Sequence, residues 1–583
     1  MMRGKWQAAA LGLLLILAAC AGPETQPDAV EPDSETATAP SKQPAVTQPK
    51  KKAAPPPKKK SAPPKKQAQP PDAHHLEIDT QVEGVQVLVD HAMLLTFGFN
   101  HAEANKLFKE AAEKDPHCAA CYWGAAYVLG PNINAPMEQS SVDEAFQLAR
   151  KAYQLRHKAR PRNRALIEAL VHRYGADPIP DRTHLDEAYA EAMRGVARKF
   201  PEDALVQALL AEALMDLHPW QYWQDNGEPY PYTPEILAAL DDALTREPDH
   251  LLANHLHIHA VEASPHPERA EESADRLRRL APDTGHLLHM PAHIYMRVGR
   301  YADAAEVNQT AISHDEAFEK HAHPEGLYPL AYMPHNRHFL VIAQARSGQS
   351  RLAIRNAFEL SQSIDVNKMR EPGYGTLQHF WSMPLYILVR FGQWEEILTQ
   401  PSPDAALKYP QGVWHYARGR ALAAKGRLVE AEQELRRLER LAKHPFLLDV
   451  TIWDVNTTAH LLQIAVKVLA GELAYQHGDM DAAIQHLEVA VEREDALTYE
   501  EPSSWYYPAR QSLGWVLLEA GRFDEAEWVY REDLERHRKN GWSLLGLQQS
   551  LEGQGRNADA KKVAKRFKQA WKNADVPIVR SRI

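Results

Sequence analysis

Histidine is the residue type in this chain best placed to do chemistry. Residues 250 to 338 hold 13 histidines, although the whole chain has only 29 in 583 positions. Two pairs, His255/His259 and His289/His293, have i, i+4 spacing. On a helix that spacing puts both imidazoles on one face, where they can share one metal ion. Axes of packed helices lie about 8–10 Å apart, so rings from two neighbours can reach a common ion at about 2.0–2.1 Å per Zn–N bond. Glu262 lies one turn beyond His259 and is placed to act as ligand or base. Imidazoles with a carboxylate suit Zn, Cu, Fe or Ni, so a divalent transition metal, Zn or Cu, fits the set. Three uses stay open for these side chains: a metal site, a groove for another ligand, or structural hydrogen bonding.

Cys118 and Cys121 form a second constellation, directly after Asp115-Pro116. An i, i+3 pair at a helix start allows a disulfide, a redox or soft-metal pair, or two inert thiols. No histidine follows Cys121, so this is not a c-type haem attachment site. The chain has no Gly-rich phosphate loop, no His-Glu-x-x-His and no Gly-x-Ser-x-Gly elbow. No catalytic class is therefore indicated; a metal-dependent activity and a triad assembled from distant residues both stay open.

The elements that must position these residues are helices. From about Gln81, alanine and leucine recur at spacings of three and four, with Gly or Pro every 15 to 20 residues or so. One phrase returns: Gly, a polar residue, an apolar residue, two more, then Ala. It begins at Gly299, Gly348, Gly426, Gly478, Gly521 and Gly555. The irregular stretches are 130 to 185 and 215 to 235, the second containing Trp220, Tyr222, Trp223, Tyr230 and Tyr232. That aromatic group predicts either a cap next to the histidine units or a local hydrophobic plug.

The phrase resembles the tetratricopeptide repeat (TPR), a helix–turn–helix unit of about 34 residues, and further good matches are Ala104, Phe108, Ala111, Pro116 and Gly514. The resemblance covers most of 81 to 575 and implies an all-α fold, an α-solenoid of roughly ten TPR-like units. With the turn Gly at position fifteen, the family's positions two, five, nine and twelve line the concave groove. That register sends His255, His259 and Glu262 of one unit into the groove. It does the same for His286, His289 and His293 of the next, then His335 and His338, then His379. Cys118 and Cys121 also fall on groove positions, whereas His257 falls on a core position. The chain also resembles a group of bacterial repeat proteins through Tyr122-Trp123-Gly124, His289-Met290-Pro291-Ala292-His293 and Trp505-Tyr506-Tyr507-Pro508. That group is defined by its repeats, so the resemblance implies a fold and no reaction. It favours a binding or scaffold role, with a protein or peptide segment as partner in the groove.

The N-terminus carries an address. Arg3 and Lys5 precede an apolar run from Ala8 to Ala19, which ends in Leu17-Ala18-Ala19-Cys20. Residues 1–20 resemble a bacterial lipoprotein signal, which makes Cys20 the lipid-carrying first residue of the mature chain. The run is shorter than the about 20 residues of a spanning helix. Ala21 in place of Asp points to the outer membrane, facing the periplasm. Residues 21–75, with 13 prolines and clusters such as Lys58–Lys60, predict a disordered Pro/Lys-rich tether. Residues 76–583 are expected to form the solenoid, with the membrane reached through the lipid alone. A formal net charge of -10 argues against nucleic acid as a partner, and three cysteines exclude a disulfide-framework fold.

Overall fold

Residues 74–582, apart from 178–180, 282–283 and 323–325, are described by a computed structural model. The signal, Cys20 and all but the end of the tether lie outside the described residues.

Helices alternate between two kinds along the chain. Leu251–Val261 is buried at every position, and so is Ala204–Met215. Each packs on a helix with one buried face: Thr233–Arg246 follows Ala204–Met215, and Glu271–Leu280 follows Leu251–Val261. The pairs Lys408–Ala424 with Leu428–Ala442, Thr458–Gln476 with Met480–Asp495, and Gly541–Gly553 with Asn557–Ala570 repeat the scheme. A first helix is enclosed by its neighbours and needs apolar residues all round. A second helix meets water on one side and is amphipathic. This is the all-α stack of TPR-like hairpins that the sequence predicts. Strand is confined, among the described residues, to a two-residue hairpin, Thr451–Ile452 against Asn456–Thr457, and two isolated bridges. No described helix is long and apolar enough to cross a membrane.

The recurring phrase has a structural reason at both ends. Its six glycines all have φ between 71° and 80°, the left-handed turn that lets one helix stop and the next fold back. Its alanines, Ala304, Ala353, Ala431, Ala483, Ala526 and Ala560, are all buried where the two helices touch. One departure lies in the unit that begins at Gly285. Its first helix is broken into Gly285–His289 and Pro291–Val298, because Pro291 has no N–H to continue the ladder.

The superhelix is closed by its own chain. Tyr301 donates to the Arg538 carbonyl at 2.9 Å across 237 positions, and the Arg538 guanidinium reaches Glu268 at 2.8 Å. Asn134 donates to Tyr332 at 3.0 Å, and Arg390 to Gln511 at 2.7 Å. Segments far apart in the sequence thus meet across the stack.

Small residues set the helix spacing. The Tyr530 ring is wedged against Gly514 and Gly546, and its hydroxyl meets the Ser581 hydroxyl at 2.6 Å. A Cβ at Gly546 would collide with that ring. Gly546→Ala is expected to cost about 1–3 kcal/mol by overpacking, read as a lowered thermal midpoint; an unchanged midpoint would show that the ring is free to move aside.

Candidate metal centre

The four histidines of the i, i+4 pairs are all buried. His255 and His259 project from Leu251–Val261, and their Nε2 atoms face each other at 3.1 Å. His289 and His293 flank the break before Pro291, and their Nε2 atoms lie 3.0 Å apart.

The opposite ring nitrogen of each is held by an acceptor. His255 Nδ1 lies 2.7 Å from the Phe97 carbonyl, and His259 Nδ1 lies 2.8 Å from Glu262 Oε1. His293 Nδ1 lies 2.6 Å from Glu262 Oε2. His289 Nδ1 meets Asn308 Oδ1 at 2.7 Å, and the Asn308 amide nitrogen donates to Ala304, which makes Oδ1 the acceptor. Carbonyls and carboxylates only accept, so all four Nδ1 atoms carry the proton. In the neutral rings each Nε2 is then a bare lone pair, and the lone pairs oppose one another in twos.

A further histidine completes each pair. One ring nitrogen from each of His255, His259 and His286 lies within 4.8 Å of the other two, and the same holds for His289, His293 and His335. Neither nitrogen of His286 has a hydrogen-bond partner among the described residues, and nor does Nδ1 of His335. Buried polar atoms of this kind cost about 1–3 kcal/mol each when left unmet. The two groups adjoin, with the His259 and His293 rings 5.7 Å apart and His286 and His289 5.9 Å apart.

Repeat register explains the pattern. One unit supplies histidines at positions five and nine, and the next supplies one at position two. The rule runs through His255, His259 and His286, then through His289, His293 and His335. Its third instance fails, because position nine is Ile342. His338 is therefore left with His379, ring to ring at 5.3 Å, and outside both triads; His379 turns to the Tyr409 hydroxyl at 2.8 Å. His257 bonds Ser273 at 2.9 Å, away from the triads and in the core. Cys118 and Cys121 are joined by a disulfide with Cα atoms 5.4 Å apart, so neither offers a free thiolate.

Trp220 of the expected aromatic group apart, the surrounding participants carried no readable signal. Phe99 lies 4.5 Å from His255, and Phe339 lies 4.5 Å from His293. Trp220 stands edge-on to His259 at 5.1 Å, and Trp453 edge-on to His335 at 5.3 Å. Both tryptophans have left-handed backbone, φ 64° and 51°, and are 40% and 36% exposed. The 220 loop thus caps the first triad, one of its two expected uses. Tyr499 reaches Glu262 at 3.3 Å from 237 positions away. Asn308 was detectable only as a polar residue among the buried Ala304, Val307 and Ala311.

Burial acts on most of the rings, and two of the rings act on the carboxylate. Burial pushes His255, His286, His289 and His335 well below the ordinary imidazole range, and their mutual proximity adds to it. Burial opposes the charge on Glu262, yet His293 and His259 hold its carboxyl well below the usual carboxylate range.

No protein-family model and no curated protein sequence matches the chain. Among solved structures, the human IFIT1 dimer with m7Gppp-AAAA is 14% identical, over 85% of this chain and 91% of its own, at a TM-score of 0.29. The APC/C hetero-tetramer Cut9-Hcn1 is 12% identical, over 84% and 88%, at 0.24. Scores this low carry no functional reading, and the helical-repeat fold rests on the hairpins described above.

Buried neutral histidines have a stability consequence. Burial also lowers His101, His250 and His379 to about 4. Between that value and the unfolded value of about 6.5 the unfolded chain binds more protons than the folded one. The contribution is complete above about 6.5 and is lost as pH falls. Denaturant midpoints of the metal-free protein are expected to drop steadily from about pH 7 to pH 5; a flat profile would show that these rings are charged in the fold.

Proposed function

We propose that this chain is a transition-metal-binding helical-repeat protein, with His255, His259 and His286 as one site and His289, His293 and His335 as the other. The observation that carries the reading is the pair of Nε2–Nε2 separations, 3.1 and 3.0 Å, between rings whose protons are held on Nδ1. Two bare lone pairs at that distance repel unless a cation lies between them. Burial disfavours a proton on His255, His259 and His289, and about 3 Å is the spacing of two imidazole nitrogens on one ion at 2.0–2.1 Å each. Hydrogen bonds from the far ring nitrogen to carboxylate, amide or carbonyl orient a metal-binding imidazole and raise its basicity. Here Glu262 does this for both sites, and Asn308 and Phe97 do it for one histidine each.

Placement in the cell envelope belongs to the same reading. The lipoprotein-like segment ending at Cys20 would anchor the chain in the outer membrane, with the body in the periplasm. The Cys118–Cys121 disulfide supports an oxidising compartment. A protein or peptide partner, which stacked helical hairpins are suited to hold, would meet the outward face, since the histidine side is enclosed.

The test is metal analysis of the untagged protein by mass spectrometry, with thermal melts on adding Zn or Cu. Bound metal is expected, with a gain in stability of about 2.7 kcal/mol at a free metal concentration about 100 times Kd. His259→Ala/His293→Ala should lose the metal and keep its helical circular dichroism. A metal-free protein whose melt ignores both ions would overturn the reading.

A further inference from the structure

Resting on the metal-binding reading, we propose that the two triads form one coupled dinuclear copper site, which takes two cuprous ions and binds dioxygen between them. The first support is proximity. Ring separations across the triads, 5.7 Å for His259–His293 and 5.9 Å for His286–His289, fall within the range of 4.9 to 6.5 Å found inside them. The two ions would therefore occupy one compartment and not two pockets. Paired metal sites act on a shared ligand when the ions are only a few ångströms apart, about 3.5–4 Å in hydrolytic examples.

The second support is charge. Among the described residues, Glu262 is the only carboxylate hydrogen-bonded to these six rings, and it serves both triads. Two divalent ions would bring four positive charges to rings hydrogen-bonded to one carboxylate, with Glu501 as a further acid near His293 and Glu262. Uncompensated buried charge is costly. Two cuprous ions bring half as much, and three neutral imidazoles satisfy each of them. Glu262 is turned to the Nδ1 side of His259 and His293, so it orients the rings and leaves the ions' remaining positions to a ligand.

The third support is the balance of the oxygen step. Each cuprous ion gives up one electron and becomes cupric. Dioxygen accepts both electrons, becomes a peroxide dianion and forms a bond to each copper. No proton is taken up and no group leaves. The compartment holds two positive charges from the metals before the step, and the same net charge after it. A low-dielectric site therefore pays no penalty for the redox change, whereas a step that altered net charge would be resisted there. Entry is available at the second triad, where His335 is half-buried beside the partly exposed Trp453.

The experiment loads the untagged full chain with cuprous ion under anaerobic conditions, removes excess copper, and then admits oxygen. The expected result is two copper per chain and one dioxygen taken up per copper pair. A near-ultraviolet band should appear that zinc-loaded protein lacks, and electron paramagnetic resonance should detect no isolated cupric ion. His335→Ala removes a half-buried ligand from one triad. It is expected to keep the helical circular dichroism, bind one copper and lose oxygen uptake. One copper per chain in the unaltered protein, isolated cupric signals after oxygen, or undiminished uptake by His335→Ala would overturn the coupled site while leaving metal binding intact. Failure to bind copper or zinc at all would instead remove the reading on which the proposal rests.

Discussion

The centre depends on one buried carboxylate. Glu262 sits on the helix of His255 and His259, bonds His259 through one oxygen and reaches across to His293 of the next repeat through the other. It fixes the tautomer of both rings, and through them it turns two Nε2 atoms into the interior. It also brings the only negative charge hydrogen-bonded to the six rings among the described residues. Without it, His259 and His293 would lose the acceptor that sets their orientation, and the two repeats would lose their polar link at the centre.

Duplication of the site follows from duplication of the hairpin. A stacked repeat places equivalent positions at a constant offset, so a ligand set drawn from positions five and nine of one unit and position two of the next recurs wherever those positions hold histidine. Two consecutive occurrences put two triads side by side. The third occurrence loses position nine to Ile342, and His338 with His379 remains as an aromatic pair inside the stack. Supporting groups recur too: a phenylalanine on each triad, Phe99 and Phe339, and a tryptophan over each, Trp220 and Trp453. They come from unrelated parts of the chain, so this likeness arises from packing around similar shapes and not from the repeat.

Enclosure changes what such a fold can do. An open concave surface selects long partners through many weak contacts. Here Phe97 and Phe99, Trp220, Trp453 and Tyr499 fill that surface around the imidazoles. Burial pushes most of these rings below the ordinary imidazole range. Closure relies on contacts between segments more than 200 residues apart, such as Tyr301 with Arg538 and Tyr499 with Glu262.

The helical repeat was legible in the sequence because its causes are local. Glycine at a left-handed turn, alanine where two helices touch and apolar spacing along each helix are all written within one unit. The same register identified His255, His259, Glu262, His286, His289, His293 and His335 as residues on one side. It also placed His338 there, although no histidine completes its triad. Tertiary structure decided the rest. The sequence does not state that the superhelix folds back on itself, because that depends on small angles accumulated over many hairpins. Nor does it state that Asn308, the Phe97 carbonyl and Tyr499 supply the hydrogen bonds of the centre. Those partners lie on other segments, and what brings them to the rings is the summed geometry of the stack, which no single repeat encodes.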